Sequence, residues 1–209
     1  MTLLVDGEEH AKICVFAHGA GAPMDSEFMQ NFAQSLSQKG VKVIRFEFPY
    51  MQERRENGKK RPPNRQPELI ESFVQVLQGI DQPCVVMGKS MGGRMASILA
   101  SMPEHKAKIL GVIALGYPFH PQKKPENLRI DHLPDISAPM LIVQGDRDAL
   151  GARELVETLP IPSDICINWL EDGDHDLKPR VKSGFTHEQH INTAVQEAAQ
   201  FIEQCYSKN

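Results

Sequence analysis

Val85-Val86-Met87-Gly88-Lys89-Ser90-Met91-Gly92-Gly93-Arg94-Met95-Ala96 changes character at its centre. An apolar run ends at Gly88, and Ser90 follows in a Gly-x-Ser-x-Gly frame. Met95, Ala96, Ile98, Leu99 and Ala100 then recur at helical spacing. The stretch reads as a strand, a sharp turn and a helix. The glycines have a steric reason: a serine on such a turn sits in a strained backbone conformation, and side chains at 88 and 92 would collide with neighbouring elements. The turn pushes the hydroxyl clear of the sheet. The new helix aims its free N–H groups and positive dipole end at the same place, which makes the Met91 amide a candidate oxyanion donor. A pattern this short also occurs by chance, so a catalytic reading needs a base, an acid and a second donor elsewhere in the chain.

Outward from this stretch, strands and helices alternate. Upstream, residues 12–17 form a short apolar run that ends in His18-Gly19-Ala20-Gly21-Ala22-Pro23, where small residues let the backbone approach a bound group. Residues 25–39 show helical spacing stopped by Gly40, and residues 41–48 read as a second strand. Residues 50–66 read as a loop with at most one helical turn. They carry Arg54, Arg55, Lys59, Lys60, Arg61 and Arg65 beside Gly58, Pro62 and Pro63. Pro67 opens the next helix. Downstream, strands are expected at 109–116, 139–144 and 165–170, a helix at 152–159, and a closing helix from Thr186, a natural N-cap, to Cys205. The strands are continuous apolar runs. That is the pattern of a parallel sheet covered on both faces, an α/β fold in three layers, with residues 1–209 as a single domain. In such sheets ligands bind outside the carboxyl ends of the strands, where the polar clusters of this chain also fall.

The bulk numbers exclude several classes. The chain has 209 residues, 41% hydrophobic and 24% charged, an ordinary globular composition. A net charge of −4 offers no global field for nucleic acid or an anionic membrane. The N-terminus lacks the basic flank and apolar run of a signal peptide, and no run is long enough to span a bilayer, so a cytoplasmic protein is expected. The four cysteines form no C-x-x-C pair and are expected as buried thiols.

A neutral serine hydroxyl needs a base, and imidazole is the usual one. His175, in the loop Asp172-Gly173-Asp174-His175-Asp176 after the last strand, lies at the functional edge of the sheet. The acid that orients it is expected at Asp148, after the strand ending near Gly145, with Asp146 as the alternative. The second oxyanion donor is expected at Ala20, or at Gly21. Gly21, Lys89 and Tyr50 are further candidates for contact with substrate, as is His18, which begins the oxyanion loop and is expected to order that loop rather than to take protons. His120 and His132 are placed to rim the pocket. Met24, Met51, Met87, Met91 and Met95 could line an apolar acyl pocket or simply fill the core.

The order Ser90, Asp148, His175, with His18-Gly19-Ala20-Gly21, Gly88-x-Ser90-x-Gly92, Gly145-x-x-Asp148 and Gly173-x-His175, resembles the α/β-hydrolase superfamily along nearly the whole chain. Within it the chain is similar to the small lidless, dienelactone-hydrolase-like group. Phe46-Glu47-Phe48-Pro49-Tyr50-Met51, the basic loop and Gly88-to-Arg94 look like bacterial relatives of the testis-expressed and NSL-complex-subunit branch. Lys89 stands where lipases of the superfamily often carry histidine, and Gln144 where many relatives carry histidine before the acid loop. The resemblance implies a serine hydrolase without a large cap domain, acting on a small-molecule acyl substrate, an ester or thioester. No metal or other cofactor is implied, because nucleophile, base and acid are all protein groups. Some eukaryotic relatives serve as complex subunits. The competing expectation is therefore a non-catalytic binding or scaffolding module that holds a partner with residues 54–65.

Overall fold

The apolar runs pair into a sheet in the computed structural model, which describes residues 2–208. β2 (Lys12–Ala17), β3 (Val41–Phe46), β4 (Cys84–Lys89), β5 (Ile109–Leu115), β6 (Met140–Gly145) and β7 (Ile165–Leu170) are parallel neighbours. With β1 (Leu3–Asp6), which pairs antiparallel with β3, they make a seven-stranded sheet in the order β1-β3-β2-β4-β5-β6-β7. The interior strands β4 and β6 are buried at every position, as strands covered on both faces must be.

Helices cover the two faces. α1 (Glu27–Ser37) and α6 (His187–Ser207) bury Phe32, Leu36, Ala198 and Ile202 against one face. α3 (Gln66–Gln78) and α4 (Met91–Ser101) bury Phe73, Leu77, Met95 and Leu99 against the other, joined there by α2 (Pro49–Asn57) and by the single turn α5 (Arg153–Val156). The start of α6 is fixed by Thr186. Its Oγ1 accepts from the Gln189 N–H at 3.1 Å while Gln189 Oε1 accepts from the Thr186 N–H at 2.8 Å, a reciprocal cap worth about 1 kcal/mol. Among the described residues no cap domain is inserted: the β5–β6 connection carries only the 3-10 turn Leu133–Asp135. Nor is any of their helices long and apolar enough to cross a membrane.

From β2 the chain turns through α1 to β3 on one side, then returns to β4 on the other. The strand order reverses there. The crevice between the ends of β2 and β4 is therefore where such a sheet accepts a ligand.

Four expectations change. Residues 50–66 are not simply a loop, since α2 occupies Pro49–Asn57, started by Pro49 and ended by Gly58 in the left-handed region at φ 72°. The helix expected over 152–159 is one turn, and the strand expected over 41–48 stops at Phe46 because Pro49 already opens α2. β1 carried no strand expectation: it is short and half exposed along the sheet edge. Cys14, Cys84 and Cys205 are buried, but Cys166 is exposed because β7 is the opposite edge strand.

Candidate active site

Ser90 sits between β4 and α4 with φ 51° and ψ −115°, a conformation that costs a non-glycine residue roughly 1–3 kcal/mol. The surrounding packing enforces it. A Cβ on Gly88 would lie 2.0 Å from the Gly92 carbonyl carbon, and one on Gly92 would lie 2.5 Å from the Ala17 oxygen. The Ser90 N–H donates to the Leu115 carbonyl at 2.9 Å, tying the turn to β5. The Ser90 hydroxyl does not cap α4 and stays available.

It is 2.8 Å from His175 Nε2. His175 reaches it from the loop after β7, and its Nδ1 lies 2.8 Å from Asp148 Oδ2. Asp148, fully buried, comes from the loop after β6. Those two loops touch at their glycines: a Cβ on Gly145 would lie 2.3 Å from the Gly173 oxygen. Because the carboxylate only accepts, Nδ1 carries the proton and Nε2 faces the hydroxyl as an acceptor. An imidazole so held can take the hydroxyl proton. Asp148 Oδ1 accepts from the Leu150 N–H at 2.7 Å, and Oδ2 also accepts from Gln144 Nε2 at 2.8 Å. Gln144 was visible in the sequence only as a departure. In the structure its buried amide is the anchor of the carboxylate.

The alternative acid, Asp146, does not approach the imidazole: it borders a separate cavity with Arg147, Asp172 and Arg180. Asp172 is bound by Arg180 and Arg147, which hold its carboxyl below the usual range. Asp174 accepts from the Asp176 and Lys178 N–H groups.

Two cavities meet at Ser90 and Ala20. One, of about 690 Å³, is lined by Gly21, Phe28, Lys89, His175 and His187 among others. The second, of about 330 Å³, is lined by Met91, Met95, Arg94 and Arg129 among others. Gly21 and Lys89 thus border the larger cavity. The Lys89 ammonium donates to the His175 carbonyl at 2.5 Å and lies 3.3 Å from Asp176 Oδ1, and burial lowers its pKa. It braces the loop that carries the imidazole. His187 also faces this cavity, its Nε2 2.9 Å from the Asp176 carbonyl.

His18 and Tyr50 border neither cavity. His18 is fully buried, with Nδ1 on the Gly19 carbonyl at 2.7 Å and Nε2 accepting from the Phe48 N–H at 3.1 Å; burial lowers its pKa. Tyr50 is 2% exposed, and its hydroxyl donates to the Ala20 carbonyl at 3.0 Å. Both side chains brace the glycine-rich loop from behind. His120 and His132 border neither cavity: His120 Nδ1 lies 2.9 Å from the Pro121 carbonyl, and His132 Nε2 lies 2.8 Å from Ser97 Oγ. Of the five methionines only Met91 and Met95 border a cavity at Ser90, while Met24, Met51 and Met87 are core.

The same architecture recurs in known proteins. Est1E from Butyrivibrio proteoclasticus, solved with ferulic acid bound, superposes with a TM-score of 0.72 at 14% identity over 99% of this chain and 95% of that one. Dienelactone hydrolase from Anabaena variabilis gives 0.70 at 19% identity over 94% and 88%. A monoacylglycerol lipase from Paleococcus ferrophilus gives 0.66 at 16% identity over 95% and 98%. Identities this low carry the fold alone. The model of a family described as Alpha/beta hydrolase domain, however, matches residues 10–203, from the loop before β2 into α6. The chain belongs to the alpha/beta hydrolase domain family.

Proposed function

We propose that the protein is a serine hydrolase that cleaves a small ester or thioester through an acyl-enzyme on Ser90. One observation carries the proposal: the continuous path from Ser90 Oγ through both nitrogens of His175 to Asp148, 2.8 Å at each step. Ser90 Oγ attacks the carbonyl carbon while His175 Nε2 takes its proton. Asp148 holds the tautomer and stabilises the imidazolium. The amides of Met91 and Ala20 receive the oxyanion, and losing one such donor typically costs ~10²–10³ in rate. The proton on Nε2 passes to the departing alcohol or thiol as the tetrahedral intermediate collapses. Water, deprotonated by the same nitrogen, then attacks the acyl carbon. The acid leaves, and the proton returns to Ser90. The open cavities suit a small acyl substrate better than a gripped peptide. The lipase and the dienelactone hydrolase that share the fold are in keeping with ester chemistry. Within the family we place the chain with bacterial relatives of the testis-expressed and NSL-complex-subunit branch, on the residues 46–51 and 88–94.

The scaffolding alternative rests on the basic segment, where Arg55 is paired with Glu47 and Asp25, and Arg61 with Glu53, so two of its six cations are already answered within the chain. A fluorophosphonate probe should label the wild-type protein and leave Ser90→Ala unlabelled. Hydrolysis of a short aryl ester should fall by about 10⁵–10⁶-fold in that variant. A folded wild-type protein that neither labels nor hydrolyses would hand the argument to the scaffolding reading.

A further inference from the structure

The reaction above gives the arginine wall of the smaller cavity beside Ser90 no task. Its walls carry two guanidiniums, Arg94 from α4 and Arg129 from the β5–β6 connection, and no carboxylate. Among the described residues neither arginine makes an ion pair. The one hydrogen bond from the Arg94 guanidinium runs from Nη2 to Gln66 Oε1 at 3.1 Å, and its Nε is buried with no partner. Burial, together with the charge of Arg129, lowers the pKa of Arg94. Packed behind it are neutral groups. Burial pushes the Tyr117 phenol up to about 12 and, with Arg94, His132 down to about 4. Asp131 and Asp135, which act on His132, do not border the cavity. The larger cavity is different: there Lys89 and Lys178 face Glu27 and Asp176.

Two like charges held half-dry without a counter-charge are costly in the empty protein, and a cleft of one sign draws in ions of the other. Guanidinium forks match carboxylate and phosphate oxygens. At about 330 Å³ the space takes a short chain and its charged end. Building on the hydrolase reading, we propose that Arg94 and Arg129 form an anion-binding subsite that selects esters or thioesters bearing a carboxylate or phosphate a few bonds from the scissile carbonyl. The basic segment 54–65 contributes Pro63 and Asn64 to the wall rather than its cations.

Two readouts test this. In the first, Ser90→Ala protein is titrated calorimetrically with monomethyl glutarate, glycerol phosphate and neutral methyl butyrate. At least one anion should bind about 10-fold or more tightly than the neutral ester, and the two anionic arms tell carboxylate from phosphate. Adding Arg94→Gln and Arg129→Gln should abolish that preference. In the second, the ratio of kcat/KM for the p-nitrophenyl half-ester of glutarate to that for p-nitrophenyl pentanoate is measured in otherwise wild-type protein. It should fall by about 10- to 100-fold in the double variant. Arg129→Gln alone, on an irregular connection, serves should the double variant fail to fold, and should lower the ratio in the same direction. Equal binding of charged and neutral ligands, with a ratio indifferent to both substitutions, would overturn the subsite while leaving ester hydrolysis intact. Anion preference in Ser90→Ala protein, with no turnover or labelling in the wild type, would keep the subsite and discard the hydrolase.

Discussion

Gln144 is fully buried and uses both ends of its amide. Oε1 accepts from the Tyr117 N–H at 2.7 Å; Nε2 donates to Asp148 Oδ2 at 2.8 Å and lies 3.2 Å from the carbonyls of Tyr117 and Gly151. Gln144→Leu would strip one donor from a buried carboxylate and leave a buried N–H unpaired. A loss of about 2–4 kcal/mol is expected, read as a lower urea midpoint at constant slope. Asp148→Asn keeps the volume and removes the charge facing His175 Nδ1. Turnover should fall by about 10³–10⁴-fold, and stability by roughly 1–3 kcal/mol, because either orientation of the amide turns its NH2 on a donor. Near-wild-type turnover in Asp148→Asn would remove Asp148 from the proposed triad. Ser90, Asp148 and His175 could be picked from sequence because each follows a strand and stands near a glycine with a steric duty: Gly88 and Gly92 for the serine, Gly145 against Gly173 for the other two. Gln144 could not. Its role depends on the Asp148 loop folding back onto the strand that precedes it, which no spacing announces. Tyr50 lies behind the glycine-rich loop for a related reason, since a residue next to that loop in sequence need not border its cavity in space.

At the scale of elements, α2 is held less by its own pattern than by its neighbours. Its buried apolar residues are Tyr50 and Met51, both in the first turn. Farther along, Arg55 reaches Glu47, which follows β3 and is 2% exposed: Nη2 lies 2.6 Å from Oε1, and Nε donates to Oε2 at 3.1 Å. Arg55→Met would leave the Glu47 carboxylate with the Met24 N–H at 3.3 Å as its remaining donor. Because Arg55 itself is 47% exposed, the loss should sit near 1–3 kcal/mol, below that of a fully buried pair. A thermal melt at pH 7 that matches the wild type would show that Glu47 is hydrated rather than held. The same facts explain why the sequence of α2 looks like a loop with one helical turn. A helix without an apolar stripe is silent to periodicity, and its signals were the two ends, Pro49 and Gly58. β1 escaped for the complementary reason: four residues with Leu3 and Val5 exposed carry too little pattern, and the strand is pinned by Asp6 to the buried Arg45, 2.8 Å apart. The interior strands and the longer helices, whose burial is continuous or periodic, were legible.

Across the whole molecule, the sheet brings together side chains from the ends of β2, β4, β6 and β7, so the proposed chemistry is lost whenever the sheet is. Acid should loosen it in two separate windows. Burial lowers the pKa of His132 to about 4, against roughly 6.5 in an unfolded chain. Between those values the unfolded chain binds the proton and the folded protein does not. The stability is therefore complete above about pH 6.5, declines as pH falls through that window, and levels off below about pH 4. His18, whose pKa burial also lowers, adds to the decline. Asp172 acts lower. Its hydrogen bonds from Arg180, with Arg147 nearby, depress its pKa, so its contribution is complete above roughly pH 3.9 and is lost only as pH drops further. Urea midpoints at pH 7, 5.5 and 4.5 isolate the first window. The wild type should weaken steadily across them, and His132→Gln, which cannot titrate but can still meet Ser97 Oγ, should weaken less. Parallel declines would assign the acid sensitivity elsewhere in the chain, with His18 next in line.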